Sequence, residues 1–108
     1  MTDTKDDYDT EIFQKITYGN TGKIIERKWI MDNCKLHRIG GPAVITYTYH
    51  TTGIRKVESW YQNGLLCRKD TSSPTVLEFD ESGRIERESW YNCKTTSMYM
   101  YRKTTYCD

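Results

Sequence analysis

Three tryptophans set the period of this 108-residue chain. Trp29, Trp60 and Trp90 are 31 and 30 residues apart, and each follows a glycine by seven positions. These glycines are Gly22, Gly53 and Gly83. A fixed period of about 30 residues predicts one small unit that is built three times and stacked on itself. The predicted copies are residues 12–43, 44–75 and 76–108.

An asparagine follows each tryptophan and predicts a turn. In the middle copy Asn63 is followed by Gly64, which favours a two-residue type I′ hairpin because both positions need a positive φ. In the outer copies Cys34 and Cys93 stand after the asparagine. We therefore expect those two turns to be longer or distorted.

Short β-strands are predicted between the turns. Residues 44–49 alternate between two unlike faces, and residues 76–79 are similarly rich in β-branched and aromatic side chains. Pro42 and Pro74 precede these runs and mark strand entry. The sequence predicts an all-β fold of antiparallel hairpin repeats, which form an open, twisted sheet that is single-layered or solenoid-like.

The two ends of the chain differ from the repeat. Residues 1–10 are acidic and have no apolar segment, which predicts a flexible leader before a single β domain at 11–108. Residues 97–106 predict a closing strand, and Arg102 and Lys103 would protect its edge from pairing.

Composition limits the partners. Sixteen basic and 15 acidic residues leave a net charge of +1, so a nucleic-acid partner is not expected. Nine tyrosines could stack single-stranded bases, but such binders usually add a positive groove. No apolar run is long enough to span a membrane.

Neither metal chemistry nor catalysis is expected. The four cysteines have no zinc-site spacing, and without a secretory signal we expect reduced thiols. His37 and His50 have no nucleophile or acid at a recurring spacing, and no hydrolase or phosphate-loop motif occurs. The sequence therefore predicts a protein that is not an enzyme and has no cofactor.

The repeating residues have a structural and a functional interpretation. The tryptophans stack on one another as a buried ladder, which is the interpretation we favour, or they form a ligand-facing row. Arg38 and Arg68 pair with Glu58 and Glu88 on neighbouring strands, which is again the interpretation we favour, or they bind an anionic partner.

The repeating pattern resembles MORN-type repeats, and more closely the longer MORN-variant repeats of large DNA viruses and bacteriophages. The resemblance covers about residues 12–95, although no copy is complete. It is carried by Leu36, His37, Arg38, Gly41, Pro42, Ala43, Glu58, Trp60, Tyr61, Asn63, Gly64, Leu66, Arg68, Glu88, Trp90 and Tyr91. It implies an interaction scaffold with no shared catalytic residues.

We expect a small viral protein of the host cytoplasm that binds a host or viral protein. The candidate binding residues are Tyr61, Arg68, Tyr91, Arg38, Tyr47 and Tyr49. One alternative is a self-associating structural or virion component, and another is a protein that sequesters a small ligand or nucleotide. The features that break the repeat, and so remain for function, are His50, residues 71–73 and the tyrosine-rich tail.

Overall fold

A computed structural model describes residues 11–104. The predicted leader at 1–10 lies outside the described residues, as do residues 105–108. The described part is all-β, and its strands are β1 (Ile12–Tyr18), β2 (Ile24–Met31), β3 (Val44–His50), β4 (Gly53–Ser59), β5 (Tyr61–Gln62), β6 (Leu65–Leu66), β7 (Val76–Phe79), β8 (Ile85–Tyr91) and β9 (Met98–Lys103).

Seven strands form one open antiparallel sheet in the order β1-β2-β3-β4-β7-β8-β9. Tight turns join β1 to β2, β3 to β4 and β7 to β8, and they lie together at what we call the turn end. The other three connections lie at the opposite end. We call them the first (32–43), second (60–75) and third (92–97) side loops, and this end of the sheet the side-loop end.

The predicted strands and turns are confirmed where local sequence determines them. Strand β7 has the predicted bounds, and β3 extends one residue beyond them. Asn63 and Gly64 join β5 to β6 with φ values of 51° and 84°, as a type I′ turn requires. The turn before Leu36 is longer, because the Cys34 N–H donates to Met31 O and Cys34 takes a φ of 69°.

The closing strand is β9, which forms one edge of the sheet. It lies within the predicted residues 97–106, and residues 105 and 106 are outside the described part. All six of its residues are exposed, including Arg102 and Lys103 near its end. The lysine and arginine are placed where they can discourage edge pairing.

The buried residues concentrate at the side-loop end. Ala43 and Thr75 occupy equivalent positions just before β3 and β7, and each is at most 2% exposed. The Trp29 N–H donates to Ala43 O and the Trp60 N–H to Thr75 O, so the hydrogen-bond ladder continues past the strand ends. Other buried residues here are Met31, His37, Cys67, Glu88, Ser89 and Trp90. The side loops therefore lie on the best-packed part of the sheet.

The turn end requires glycine at Gly53 for two reasons. Its φ of 146° is open essentially only to glycine, and a Cβ there would lie 2.6 Å from the carbonyl oxygen of Glu81. Gly22 also has a positive φ, of 85°, but a Cβ there would meet no atom within 4 Å.

Replacing these glycines separates backbone strain from steric conflict. We expect Gly22→Ala to cost about 1 kcal/mol through its φ alone. Gly53→Ala adds a clash with backbone and should cost about 2–4 kcal/mol. Urea unfolding of both variants measures the difference, and equal losses would show that the β3–β4 and β7–β8 turns do not approach each other as described.

Candidate functional site

Two arginines on the side loops are each held flat on a tryptophan. The Arg38 guanidinium lies 3.8 Å from the Trp29 ring centroid and donates to Pro42 O at 3.2 Å. A cation over an indole face is attracted by the ring quadrupole, and the carbonyl fixes the rotation of the guanidinium. We call Trp29, Arg38 and Pro42 the first clamp.

The same arrangement occurs in the second side loop. The Arg68 guanidinium lies 3.6 Å from the Trp60 ring centroid and donates to Pro74 O, again at 3.2 Å. We call these three residues the second clamp. Each proline is thus used twice, because its ring shapes the entry into a strand and its carbonyl orients an arginine.

The third tryptophan is covered differently. Arg102, which lies 5.8 Å from the Trp90 ring centroid, comes from β9 and not from a side loop. Its Nε donates to Glu88 Oε1 at 2.7 Å. Arg102 is therefore paired with a carboxylate within the sheet, whereas neither clamp arginine forms an ion pair within residues 11–104.

The favoured pairing of Arg38 and Arg68 with Glu58 and Glu88 is wrong. Glu58 pairs with Lys56 at 2.9 Å, and Glu88 pairs with Arg102. Within residues 11–104 neither clamp arginine forms an ion pair with a carboxylate. Each guanidinium lies instead against a tryptophan ring and a proline carbonyl of its own copy. The charge of Glu58 still acts on Arg68 from a longer distance.

The favoured ladder of mutually stacked tryptophans is also wrong. Trp29 and Trp60 lie at the ends of β2 and β4, which β3 separates. Two strand spacings amount to about 9.5 Å, which exceeds the reach of a ring pair. The arginines occupy the ring faces instead, and only Trp90 is buried, at 6% exposure.

Two adjoining grooves run between the side loops. The first groove has a volume of about 440 Å³ and the second about 430 Å³, and both are lined by Arg68 and Lys69. The first is completed by Arg38, Ile39, Gly40, Trp60, Gln62 and Asp70. The second is completed by Thr71, Tyr91, Asn92, Cys93, Lys94 and Tyr99. We call the two grooves together the basic face.

The charges on the basic face are strongly unequal. The charged side chains that line it are one carboxylate, Asp70, and four cations, Arg38, Arg68, Lys69 and Lys94. Hydrogen bonds from Ser72 and Ser73 hold the pKa of Asp70 below its ordinary value, and the charge of Arg68 acts in the same direction. Burial lowers the pKa of Arg68, and the negative charges of Asp70 and Glu58 partly oppose this shift.

The side loops are joined to one another by two equivalent contacts. Between the first and second loops, the Asn63 N–H donates to Nδ1 of the fully buried His37 at 3.0 Å. Between the second and third loops, Cys67 and Cys93 form a disulfide with a Cα–Cα distance of 4.9 Å. Both contacts join residues 26 positions apart. A hydrogen bond therefore links one pair of neighbouring side loops, and a covalent bond occupies the equivalent place in the next pair.

The disulfide overturns the expectation that all thiols are reduced. Cys67 and Cys93 are far apart in sequence, but the stacking of the side loops brings them together. Cys34 is exposed and is a free thiol. Among residues 11–104, no group of three or more His, Cys, Asp or Glu side chains could hold a metal ion.

Only some of the predicted binding residues lie together. Arg38, Arg68 and Tyr91 line the basic face. Tyr61 is half-buried in β5 of the second side loop, and it lines neither groove.

The other two predicted tyrosines lie on β3, towards the turn end. Tyr47 lines a separate cavity of about 240 Å³ with Ile54 and Phe79. Tyr49 donates its hydroxyl to Ile24 O at 2.5 Å, which is a structural role. His50 is also at the turn end, so it is remote from the basic face.

Sequence reasoning missed several residues of the basic face. The sequence favours a core position for Trp60 and does not single out Lys69, Gln62 or Lys94. Lys69 follows Arg68 directly, and this adjacency is a signal that could have been used. Tyr99 and Thr71 belong to the segments that break the repeat, and both line the second groove.

No family model matches this chain, and neither a curated protein nor a solved structure matches it. The resemblance to MORN-type repeats therefore stays a prediction. No helix in the described residues is long and apolar enough to cross a membrane.

Removing the Cys67–Cys93 bond should destabilise the fold by about 3 kcal/mol, because a closed loop of this length restricts the unfolded chain. The double variant Cys67→Ala/Cys93→Ala tests this in urea unfolding. Cys34→Ser is the control, with an expected change within about 0.5 kcal/mol because this cysteine is exposed. A double variant as stable as the parent chain would contradict the link between the second and third side loops.

Proposed function

We propose that this chain is a non-catalytic binding module whose basic face holds an acidic segment of another protein. The observation that carries the proposal is the pair of clamp arginines. Arg38 and Arg68 are fixed by stacking and by one carbonyl each, and within residues 11–104 neither forms an ion pair with a carboxylate. The charges of Asp70 and Glu58 act on Arg68 from a longer distance.

The clamps leave each arginine able to bind a planar anion. A guanidinium has five N–H donors, and in both Arg38 and Arg68 Nη1 donates one hydrogen bond to a proline carbonyl. The remaining donors can form a bidentate pair of hydrogen bonds with a carboxylate. Because stacking has already restricted the side chain, binding costs less rotamer entropy than it would for a mobile arginine.

The aromatic lining favours a protein partner. Trp60, Tyr91 and Tyr99 border the grooves beside the arginines. Tryptophan, tyrosine and arginine are the residues that most often dominate binding energy at protein interfaces. Each groove also lies within the volume range of small-ligand sites, so the sequestration of a small anion stays an untested alternative.

The finer architecture belongs to the same proposal. The recurrence of the clamp supports hairpin repeats at residues 12–43, 44–75 and 76–108 that stack like a short solenoid. Trp29 lies on β2 and Trp60 directly follows β4, and these two strands are separated by two strand spacings, about 9.5 Å. The basic face would then present arginines at regular intervals to an extended partner.

The proposed origin remains a large DNA virus or bacteriophage, with a host or viral protein as partner. The Cys67–Cys93 disulfide bears on the predicted cytoplasmic location, because such bonds persist mainly in oxidising surroundings. We therefore propose that the protein acts in surroundings where the disulfide persists, such as the surface of a virus particle. Self-association through the exposed edge strand β9 stays an untested alternative.

The proposal can be tested with a fluorescein-labelled hexaglutamate peptide. We expect Arg38→Gln/Arg68→Gln to weaken its binding at least about tenfold at low salt, because two charge-assisted hydrogen-bonding groups are lost. Fluorescence anisotropy measures the affinity. Arg84→Gln/Arg87→Gln makes the same charge change away from the basic face and should weaken binding less than about threefold.

Two results would contradict the proposal. One is equal loss of binding in both double variants, which would show a response to net charge alone. The other is tighter binding of a single-stranded oligonucleotide than of hexaglutamate, which would make nucleic acid the partner class.

A further inference from the structure

The Cys67–Cys93 disulfide forms part of the wall of the second groove. Cys93 lines this groove together with Arg68 and Lys94, and Cys67 directly precedes Arg68 in the chain. The bond therefore ties the second clamp to the third side loop. Breaking it would act on the basic face itself and not from a distance.

The junction between the first and second side loops holds without a disulfide. The Asn63 N–H donates to His37 Nδ1 at 3.0 Å, and the Gly64 N–H donates to Leu36 O at 2.8 Å. Neither hydrogen bond involves a thiol. A change of redox conditions therefore leaves this junction, and the first clamp beside it, in place.

The junction between the second and third side loops is built differently. Lys94 and Leu66 occupy the positions that Gly64 and Leu36 have at the first junction. The Lys94 N–H donates instead to Asn92 Oδ1 at 2.7 Å, within the third side loop. The disulfide thus stands where the other junction has a backbone hydrogen bond between loops.

The third side loop has internal hydrogen bonds that hold its own shape. The Asn92 N–H donates to Ser97 O at 3.0 Å, and the Thr96 N–H donates to Asn92 O at 2.7 Å. A weaker contact accompanies the disulfide, since the Tyr99 hydroxyl donates to Thr71 O at 3.5 Å. Without the disulfide the loop can therefore move as a unit away from the second side loop.

One sulfur of the disulfide is accessible to a thiol. Cys67 is 1% exposed, whereas Cys93 is half-buried and lines the second groove. A thiolate of an external dithiol can attack Cys93 Sγ, so that the sulfur–sulfur bond breaks and Cys67 leaves as a thiolate that takes up a proton. The second thiol of the dithiol then attacks the mixed disulfide and releases Cys93 as a thiol. Two electrons and two protons pass from the dithiol, which becomes a disulfide, to the cysteine pair.

We infer that the Cys67–Cys93 pair is a redox switch that sets the affinity of the basic face. In the oxidised form both grooves are held in place. In the reduced form the first clamp keeps its position, and the third side loop no longer holds the second groove together. The regulation rests on the proposed function, since it acts on the same face, but the loosening of the third side loop does not. A dithiol of a reducing compartment would thus release the acidic segment.

The first test measures the mobility of the third side loop in the two redox states. The variant Cys34→Ser/Cys107→Ser removes the other two thiols of the sequence, and dithiothreitol then reduces the remaining pair. Nitrogen-15 relaxation should give backbone order parameters of about 0.85 for residues 92–97 in the oxidised form and below about 0.6 in the reduced form. Asn63 and Gly64 should stay at about 0.85 in both forms, because their hydrogen bonds involve no thiol.

Two results of this measurement would overturn the switch. One is equal order parameters for residues 92–97 in both forms. The other is a loss of order at Asn63 and Gly64 as well, which would show that the whole side-loop end unfolds and that no single loop is released.

The second test measures how the same variant binds the labelled hexaglutamate peptide. Reduction should weaken binding about three- to tenfold at low salt, because a mobile loop must be ordered when the peptide binds. Reoxidation should restore the original affinity. Cys67→Ala/Cys93→Ala should bind as weakly as the reduced form, with and without dithiothreitol. Equal affinities of the oxidised and reduced forms would overturn the regulation.

A matched pair of charge variants locates the effect on the face. Lys94 lies on the third side loop and Arg38 on the first. Lys94→Gln should weaken peptide binding about two- to fivefold in the oxidised form and less than about twofold in the reduced form. Arg38→Gln should weaken binding by the same factor in both forms. An effect of Lys94→Gln that is independent of redox state would contradict the switch.

The tests separate the two proposals. If residues 92–97 become mobile on reduction but Arg38→Gln/Arg68→Gln leaves peptide binding unchanged, the loop movement stands and the proposed function fails. If that double variant weakens binding and both redox forms of the parent pair bind equally, the proposed function stands and the switch fails.

Discussion

The stacking of an arginine on a tryptophan is the interaction on which the side-loop end depends. The residues of this end include the most deeply buried ones in the described part of the chain, such as Ala43, His37 and Cys67. The Trp60–Arg68 contact at 3.6 Å and the bond from Arg68 to Pro74 O connect the end of β4, the middle of the second side loop and the entry to β7. These contacts hold the loop in place and also hold the Arg68 guanidinium at a defined position on the surface. The residues that stabilise the loop are therefore the same residues that we propose for binding.

Two different kinds of bond link neighbouring side loops at equivalent positions. His37 accepts a backbone hydrogen bond at one junction, and a disulfide closes the next. The covalent junction lies towards β9, whose residues are all exposed, whereas the hydrogen-bonded junction lies in the middle of the sheet. A stronger link is thus placed where fewer neighbouring strands support the loop.

The strands and turns that could be predicted are those that depend on residues close together in the sequence. The strand at 76–79 and the Asn63–Gly64 turn depend on side chains within a few positions, and both have the predicted form. The partner of Arg68 depends on how a 16-residue loop folds back, and the Cys67–Cys93 bond depends on loop stacking. The basic face could not be predicted from the net charge, because the acidic residues 1–10 offset the basic surplus of residues 11–104. The repeat period does not predict it either, because a period does not show which charged side chains come close in the fold.

The most direct measurement is a double-mutant cycle between Trp60 and Arg68, using Trp60→Leu, Arg68→Gln and the combination in urea unfolding. The described geometry predicts a coupling free energy of about 0.5–2 kcal/mol that persists at high salt, because the guanidinium is stacked on a half-buried ring. Losses in the two single variants that add to within about 0.3 kcal/mol of the loss in the double variant would contradict the account.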